Sequence, residues 1–439
     1  MSNFPLNKET VKSFVEKNKI KSVGTASIRE VKKLINDIEE GSGMRFIRME
    51  MGIPGLPASE IGINAEIEAL RNGCASIYPD IYGTAELKDQ ISLFVKNFVG
   101  LNVSPDCCLP TVGSMQGGFA AFLTTSQMDS KKKKVLFIDP GFPVQKQQCA
   151  ILGLEKESFD VYDYRGEKLR AKLESYLSKG DIACMLYSSP NNPSWICFTE
   201  EELMIIGELA NKYGVVVIED LAYFAMDFRK DYSKPGVPPY QPTVGNYTKN
   251  FILLISSSKA FNYAGQRIGM MVISPELFNS PYDGLMERFG TKDFGKALVF
   301  GSLYCLSSGT SHSPQYALTA MLKAVNEGRY DFVKEVREYG EKATIMKKMF
   351  TDNNFKIVYD KDLDEPVADG FYFTFCYPGF DGDALLEELL RYGISAIALG
   401  ITGSMRTEGI RACVSLIQRS EFPELERRLT QFRVDHPIA

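Results

Sequence analysis

Three segments of this 439-residue chain place reactive side chains directly after apolar runs. The first, Ser256–Gly269, reads SSSKAFNYAGQRIG: Lys259 follows an apolar run and three serines, and Arg267 comes eight residues later. A lysine in such a place can form a Schiff base when its ammonium is partly desolvated. Serine hydroxyls and an arginine suit a phosphate, the arginine bidentately. A loop lysine beside a structural arginine would read the same way. The second segment, VVVIEDLAYF, ends an otherwise apolar run on Asp220, with Tyr223 three residues on. A charge buried there is costly unless paired. A protonated pyridine nitrogen is one such partner, and Asp is the protein group that serves it; a capping aspartate is the plainer alternative. In the third, YSSPNNPSW, Asn192 precedes Pro193. Its amide can donate to a phenolic oxygen, although Asn-Pro is also a common turn signal. A fourth element, TVGSMQGGFAAFLTT from Thr111 to Thr125, opens an apolar helix on a Gly-Ser turn. Free backbone N–H groups at that start suit a phosphate. It is neither G-x-G-x-x-G nor a P-loop, so a nucleotide fingerprint is absent.

These segments need a scaffold, and the middle of the chain spells one. Val135–Pro140, Ala183–Pro190, Val215–Asp220, Phe251–Ser258 and Met270–Ser274 are continuous apolar runs, as expected for strands covered on both faces. Between two of them, Thr199 and Glu202 form a capping box, Leu203, Ile206 and Leu209 or Ala210 a helical stripe, and Gly214 a stop. Strand, helix, strand at this spacing predicts an α/β core with a mainly parallel sheet. Ligands of such sheets bind at the C-terminal strand ends, where Asn192, Asp220 and Lys259 fall. Arg229–Asn250 is rich in Pro, Gly and Lys and reads as a long surface loop. Beyond about Gly301 the pattern changes to a charged helical stretch from about Gln315 to Phe350, a strand at Phe371–Tyr377 and a helix from about Asp383 to Tyr392. This predicts a second, smaller α+β domain.

Composition narrows the chemistry. With 50 Lys+Arg against 55 Asp+Glu the net charge is −5, which argues against nucleic acid as a partner. The one basic run, Lys131–Lys134, reads as a solvated loop. No stretch approaches a membrane span, and the polar N-terminus lacks a signal-peptide core. Nine scattered cysteines without a CxxC pair read as reduced thiols of a cytoplasmic protein. With only two histidines, His312 and His436, neither a His-rich metal site nor a Ser-His-Asp triad is expected. Acid–base work must fall to Lys, Tyr, Asp or a cofactor.

Taken in order, the motifs resemble those of the class I/II aminotransferases, pyridoxal-5′-phosphate enzymes of fold type I. The resemblance runs from Gly52-x-Pro54 through Tyr78 with Gly83 and Leu87, the Gly113-Ser114 helix start, Pro140–Pro143, Asn192-Pro193, Asp220-x-x-Tyr223, Ser256-x-x-Lys259 and Arg267 to Gly409–Arg411. It implies a large domain with a seven-stranded-type, mainly parallel sheet at 76–305 and a small domain at 306–439 that shares residues 1–75, the latter including an N-terminal arm. It implies pyridoxal 5′-phosphate as cofactor and Lys259 as the Schiff-base lysine that shuttles a proton. Asp220 would keep the pyridine nitrogen protonated. Tyr223 and Asn192 would bond the phenolic oxygen. Ser256, Ser258, Arg267 and the backbone of Ser114 and Met115 would hold the phosphate, and Phe142 would stack on the ring. Tyr78 would reach the phosphate of a neighbouring subunit, which implies a homodimer with shared sites. Arg411 would clamp the substrate α-carboxylate, with Gly52 and Asn192 nearby. The expected reaction is ping-pong transfer of an amino group from an amino acid to a 2-oxo acid. A carbon–sulfur β-lyase or another lyase of the fold uses the same residues, and a non-catalytic cofactor-binding protein is a further alternative. Dicarboxylate-specific members add a second arginine; Arg288, Lys292 and Lys296 lie in roughly that region, and a neutral or aromatic donor is expected. Three positions depart from the pattern: Trp195 stands where a small residue is usual, Phe142 replaces Tyr or Trp, and 229–250 reads as an insertion.

Overall fold

The apolar runs form strands of one sheet in a computed structural model that describes residues 4–438. In chain order the strands are β1 (Cys108–Thr111), β2 (Lys134–Asp139), β3 (Glu155–Asp160), β4 (Ile182–Ser188), β5 (Val216–Leu221), β6 (Phe251–Ser256) and β7 (Gly269–Ile273). Their order across the sheet is β1-β7-β6-β5-β4-β2-β3. All neighbours pair in parallel except β7, which runs antiparallel to β6 and to β1. The sheet is thus mainly parallel, as expected. β4, β5 and β6 are buried along their whole length, because helices cover both faces of a sheet joined by crossovers. Val216 and Ile218 of β5, Ile252 and Leu254 of β6 and Met271 of β7 share one core with Ala120, Ala121 and Phe122 of the helix α1 (Gly113–Thr125). Gly117 lets α1 lie close: a Cβ there would come 2.9 Å from Leu254 Cδ2.

The chain divides into two units. The larger comprises Leu56–Asn191 and Cys197–Val336; the smaller comprises 4–55, Asn192–Ile196 and the chain from Arg337 onward. In the larger unit the helix α2 (Glu200–Tyr213) carries the expected reciprocal capping box of Thr199 and Glu202 and stops at left-handed Gly214. Glu202 also takes a bidentate contact from buried Arg165, both distances 2.7 Å. The lysine run is not merely solvated. Lys132 Nζ donates to the carbonyls of Tyr213 and Gly214, and Lys133 Nζ to that of Ser126, so these lysines supply donors to carbonyls at helix C-termini. The expected single helical stretch is two helices, α3 (His312–Asn326) and α4 (Phe332–Asp352), because Gly328 adopts φ 70° between them. The segment bearing Lys259 is fixed on both sides. Phe261 packs in a cluster of rings with Phe94 and Phe332, and the Tyr263 hydroxyl donates to Glu66 at 2.5 Å.

The smaller unit holds a four-stranded antiparallel sheet: β8 (Lys356–Ile357), β9 (Tyr372–Cys376), β10 (Ile397–Ala398) and β11 (Ile410–Cys413), in the order β10-β11-β9-β8. The helix α5 (Gly382–Arg391) lies within it, its first turn capped by Asp381. No helix among the described residues is long and apolar enough to cross a membrane.

The reading of 229–250 as a surface loop fails for its second half. Gln241, Thr243, Val244 and Thr248 are buried. The reason is Glu219, a fully buried carboxylate on β5 that needs donors. Thr243 Oγ1 at 2.7 Å and the Val244 N–H at 3.2 Å supply them. Burial pushes the Glu219 carboxyl from its ordinary 4.5 up to about 7. The folded state therefore keeps this proton to higher pH than the unfolded chain, and the stability tied to it falls as pH rises from 4.5 to about 7. Glu219→Gln cannot titrate. Its stability relative to the parent should climb by up to about 3 kcal/mol across that window and then level off. Thermal unfolding of both proteins at stepped pH checks this, and a constant difference would refute it.

Candidate active site

In the larger unit the parallel strands bring Asp139, Ser188, Asp220 and Ser256 to the same, C-terminal edge of the sheet. Side chains alternate along a strand, so Asp220 continues the face of Val216 and Ile218 while Glu219 points to the other. Asp220 is buried, and that burial lifts its carboxyl to about 6. Three contacts oppose the lift: Gln145 Nε2 donates to Oδ2 at 2.8 Å, the Ala222 N–H donates to Oδ1 at 3.2 Å, and the positive charge of Lys259 acts on it. Lys259 lies in a short helix, Ser257–Ala260, that continues directly from β6 and is partly exposed. Ser256 caps that helix by accepting from the Ser258 N–H at 3.1 Å; the Ser256 hydroxyl keeps its own proton to donate. Ser258 is buried beside it, and Tyr223 is buried in the turn after β5.

The phosphate-binding reading has a local geometry. α1 begins after Val112 with no side-chain cap, so the first N–H groups, including those of Ser114 and Met115, are not taken by a capping side chain. Arg267 lies against this start: a Cβ on Gly113 would fall 2.6 Å from its Nη2. Gly269 backs the same turn, its Cβ position lying 3.1 Å from Ser114 N. Both glycines keep the backbone close enough for an arginine and a helix terminus to face one anion. A phosphate fits this cradle, and a protonated ring nitrogen fits the buried Asp220, whose two oxygens each accept one hydrogen bond and have lone pairs to accept another. Phe142 is half-buried at the start of the helix Pro143–Ile151, the helix that carries Gln145. Tyr78 is 88% exposed.

The smaller unit holds the other residues singled out from the sequence. Arg411 is 1% exposed on β11, between β9 and β10. Its Nη1 donates to Asn192 Oδ1 at 3.3 Å and its Nη2 to the Glu50 carbonyl at 2.7 Å. Its guanidinium carbon lies 4.4 Å from the centroid of the Tyr372 ring. Among the described residues Arg411 Nε has no hydrogen-bond partner. Gly52 is explained by the same ring: a Cβ there would meet the Tyr372 hydroxyl at 2.0 Å. Sequence reading missed Gln145, Tyr372 and Glu50. Gln145 carries no motif, and Tyr372 lies in a strand that reads simply as core. Among the described residues no cluster of three or more His, Cys, Asp or Glu could hold a metal ion.

A parallel sheet whose strand ends present a lysine, a buried aspartate and an arginine-backed helix start is the framework of a small-molecule enzyme. The chain matches the aminotransferase class I and II family over residues 52–429 and belongs to it; enzymes of this family use pyridoxal 5′-phosphate. It is 24% identical over 328 residues to an LL-diaminopimelate aminotransferase of Natranaerobius thermophilus, covering 74% of this chain and 76% of that protein. It is 24% identical over 322 residues to a probable aspartate aminotransferase of Methanocaldococcus jannaschii, covering 73% and 76%. In structure it resembles an alanine aminotransferase from Pyrococcus furiosus, with a TM-score of 0.75 at 19% identity over 96% of this chain and 99% of that one. An aspartate aminotransferase from Thermus thermophilus with maleate gives 0.72 at 18% identity, covering 92% and 96%. The chain is thus an aminotransferase of fold type I.

Gly113 tests the cradle. Its φ is 65°, where an L-residue is strained, and its Cβ would strike Arg267. Gly113→Ala should lower stability in urea unfolding by about 1–2 kcal/mol. An unchanged midpoint would mean that this backbone is freer than the structure shows.

Proposed function

We propose that the larger unit binds pyridoxal 5′-phosphate and that the enzyme moves an amino group from an amino acid to a 2-oxo acid in two half-reactions. The carrying observation is Asp220, buried at a strand end with an amide donor on one oxygen and the Lys259 charge acting on it. When bound, the cofactor supplies an electron-withdrawing ring that stabilises negative charge at the substrate Cα. Asp220 holds the ring nitrogen's proton, and Gln145 holds Asp220 in place. The N–H groups of Ser114 and Met115, the hydroxyls of Ser256 and Ser258, and the Arg267 guanidinium bind the phosphate. Tyr223 and Asn192 orient the ring oxygen and Phe142 its face. Lys259 would be the residue that holds the cofactor through its Nζ, and the same amine would take the substrate Cα proton and return it. Arg411 takes the α-carboxylate, with the backbone of Gly52 beside it.

The amino donor is read as neutral or aromatic. Lys292 pairs with Asp283 and Lys296 with Asp293, each at 2.7 Å on the surface, so both charges are already engaged. Arg288 is exposed. The working form is proposed to be a homodimer with shared sites. Tyr78 is exposed beside Ile77, whose carbonyl meets the ring of His312, and Phe300, Tyr304 and Leu306 add exposed apolar surface in the same unit. The nine cysteines are all free, in keeping with a cytoplasmic location.

Purified protein supplied with pyridoxal 5′-phosphate should gain a visible absorbance band that borohydride abolishes, with the reduced cofactor mapped by peptide mass to Lys259. Lys259→Ala should lose the band and the activity. In a screen of the common amino acids, oxo-acid release without ammonia supports transamination, and pyruvate with ammonia and a thiol would replace that reading with elimination. Aspartate as best donor would overturn the donor class. Sedimentation should give a dimer, and Tyr78→Ala should weaken cofactor binding; a monomer with full activity would remove the shared-site reading.

A further inference from the structure

The one tryptophan of the chain occupies an unfavourable backbone conformation. Trp195 has φ 64°, a left-handed value that bulky residues rarely adopt and glycine adopts freely. Its ring is fully buried. A side chain that merely fills space does not need such a backbone, and strain of this kind persists where surrounding structure imposes it.

Two neighbours show what the ring meets. A Cβ on Gly370 would lie 2.0 Å from ring atoms Cε2 and Cζ2 and 2.3 Å from Nε1, so the indole rests on bare backbone. On another side the indole meets the Tyr372 ring edge-on, with centroids 6.1 Å apart and planes at 66°. Tyr372 in turn underlies the Arg411 guanidinium at 4.4 Å, and its hydroxyl abuts Gly52. Trp195, Tyr372 and Arg411 therefore stand in file. Asn192, three residues before Trp195 in the turn Asn192–Ile196, accepts from Arg411 Nη1. One turn thus reaches the arginine twice, directly through an amide oxygen and indirectly through two rings.

We propose that Trp195 is a positioning residue for the carboxylate clamp: it sets the tilt of Tyr372 and thereby the plane of the Arg411 guanidinium. The inference rests on the reading of Arg411 as that clamp. The fixed fork of a guanidinium matches a carboxylate only when the two planes align. A change at Trp195 should therefore weaken substrate binding and leave the proton transfer at Lys259 untouched.

The test uses the holoenzyme and the amino acid that gives it the fastest oxo-acid release. Trp195→Gly relieves the backbone and removes the ring; KM should rise about tenfold while kcat stays within about twofold. Trp195→Phe should recover part of the loss. Gly370→Ala should raise KM as well, by driving a Cβ into the indole, yet in Trp195→Gly/Gly370→Ala it should add nothing, because the indole is gone. The single tryptophan gives a second readout: the corresponding 2-oxo acid should change Trp195 emission in the parent and leave it unchanged in Arg411→Ala. If the Gly variant does not fold, the Phe variant and Gly370→Ala carry the same comparison. Additive effects of Trp195→Gly and Gly370→Ala, or a fall in kcat at unchanged KM, would overturn the proposal. If Arg411→Ala itself leaves KM unchanged, the clamp reading fails; if only the Trp195 and Gly370 variants leave it unchanged, this inference alone fails.

Discussion

A carboxylate held at the end of a wholly buried strand is the constraint around which the larger unit is built. β5 is buried along its length, and just before its end it carries two successive acids that alternation sends to opposite sides of the sheet. Each is lifted by burial, Glu219 to about 7 and Asp220 to about 6. The sheet solves the two problems differently. Glu219 is answered by structure: a hydroxyl and an N–H from the far half of the 229–250 loop. Asp220 takes one donor on each oxygen, the Gln145 amide and the Ala222 N–H, and feels the positive charge of Lys259. Asp220 faces the edge where Lys259 and the arginine-backed helix start also lie, and the lysine charge acting on it sets its surroundings apart from those of Glu219.

The rigidity of that edge comes from ordinary packing. Small residues in α1 let it close on β6, and the same smallness at Gly113 and Gly269 leaves room for Arg267. The lysine segment is held by Phe261 in its aromatic cluster and by Tyr263 on Glu66, two and four residues after Lys259.

Continuous apolar runs and a capping box were enough to recover the parallel sheet and the helix Glu200–Tyr213, because both depend on residues close in sequence. The lysine run and the 229–250 segment read as surface because their partners lie elsewhere: Lys132 caps a helix ending 81 residues away, and Thr243 answers an acid 24 residues back. The same distance hides Gln145, 75 residues from Asp220, and gives Asn192 and Arg411 a separation of 219. Gly52 was picked out by its place in a motif, but its physical reason, the Tyr372 hydroxyl against its backbone, is a tertiary fact. Trp195 could be seen to depart from a small-residue pattern, while the glycine that accommodates it, Gly370, carries no local signal.

The smaller unit raises the complementary problem, a buried cation. Arg411 is enclosed on the inner strand of its sheet, and a charge so placed needs compensation. The carboxylate of Glu50, whose backbone carbonyl accepts from Arg411, does not provide it. Its carboxylate is taken by Arg48 through Nε at 3.0 Å and Nη2 at 2.8 Å, and by the Ser395 hydroxyl at 2.6 Å. Only the Glu50 backbone carbonyl turns to Arg411, alongside the neutral amide of Asn192 and the face of Tyr372. Neutral acceptors and a π face orient a guanidinium and soften its desolvation without cancelling its charge. Had the Glu50 carboxylate reached Arg411 itself, the pair would have been self-sufficient and an incoming carboxylate would have had to displace it. By diverting that acid to Arg48, the fold keeps one full positive charge in a low-dielectric setting, where an anion gains most from meeting it.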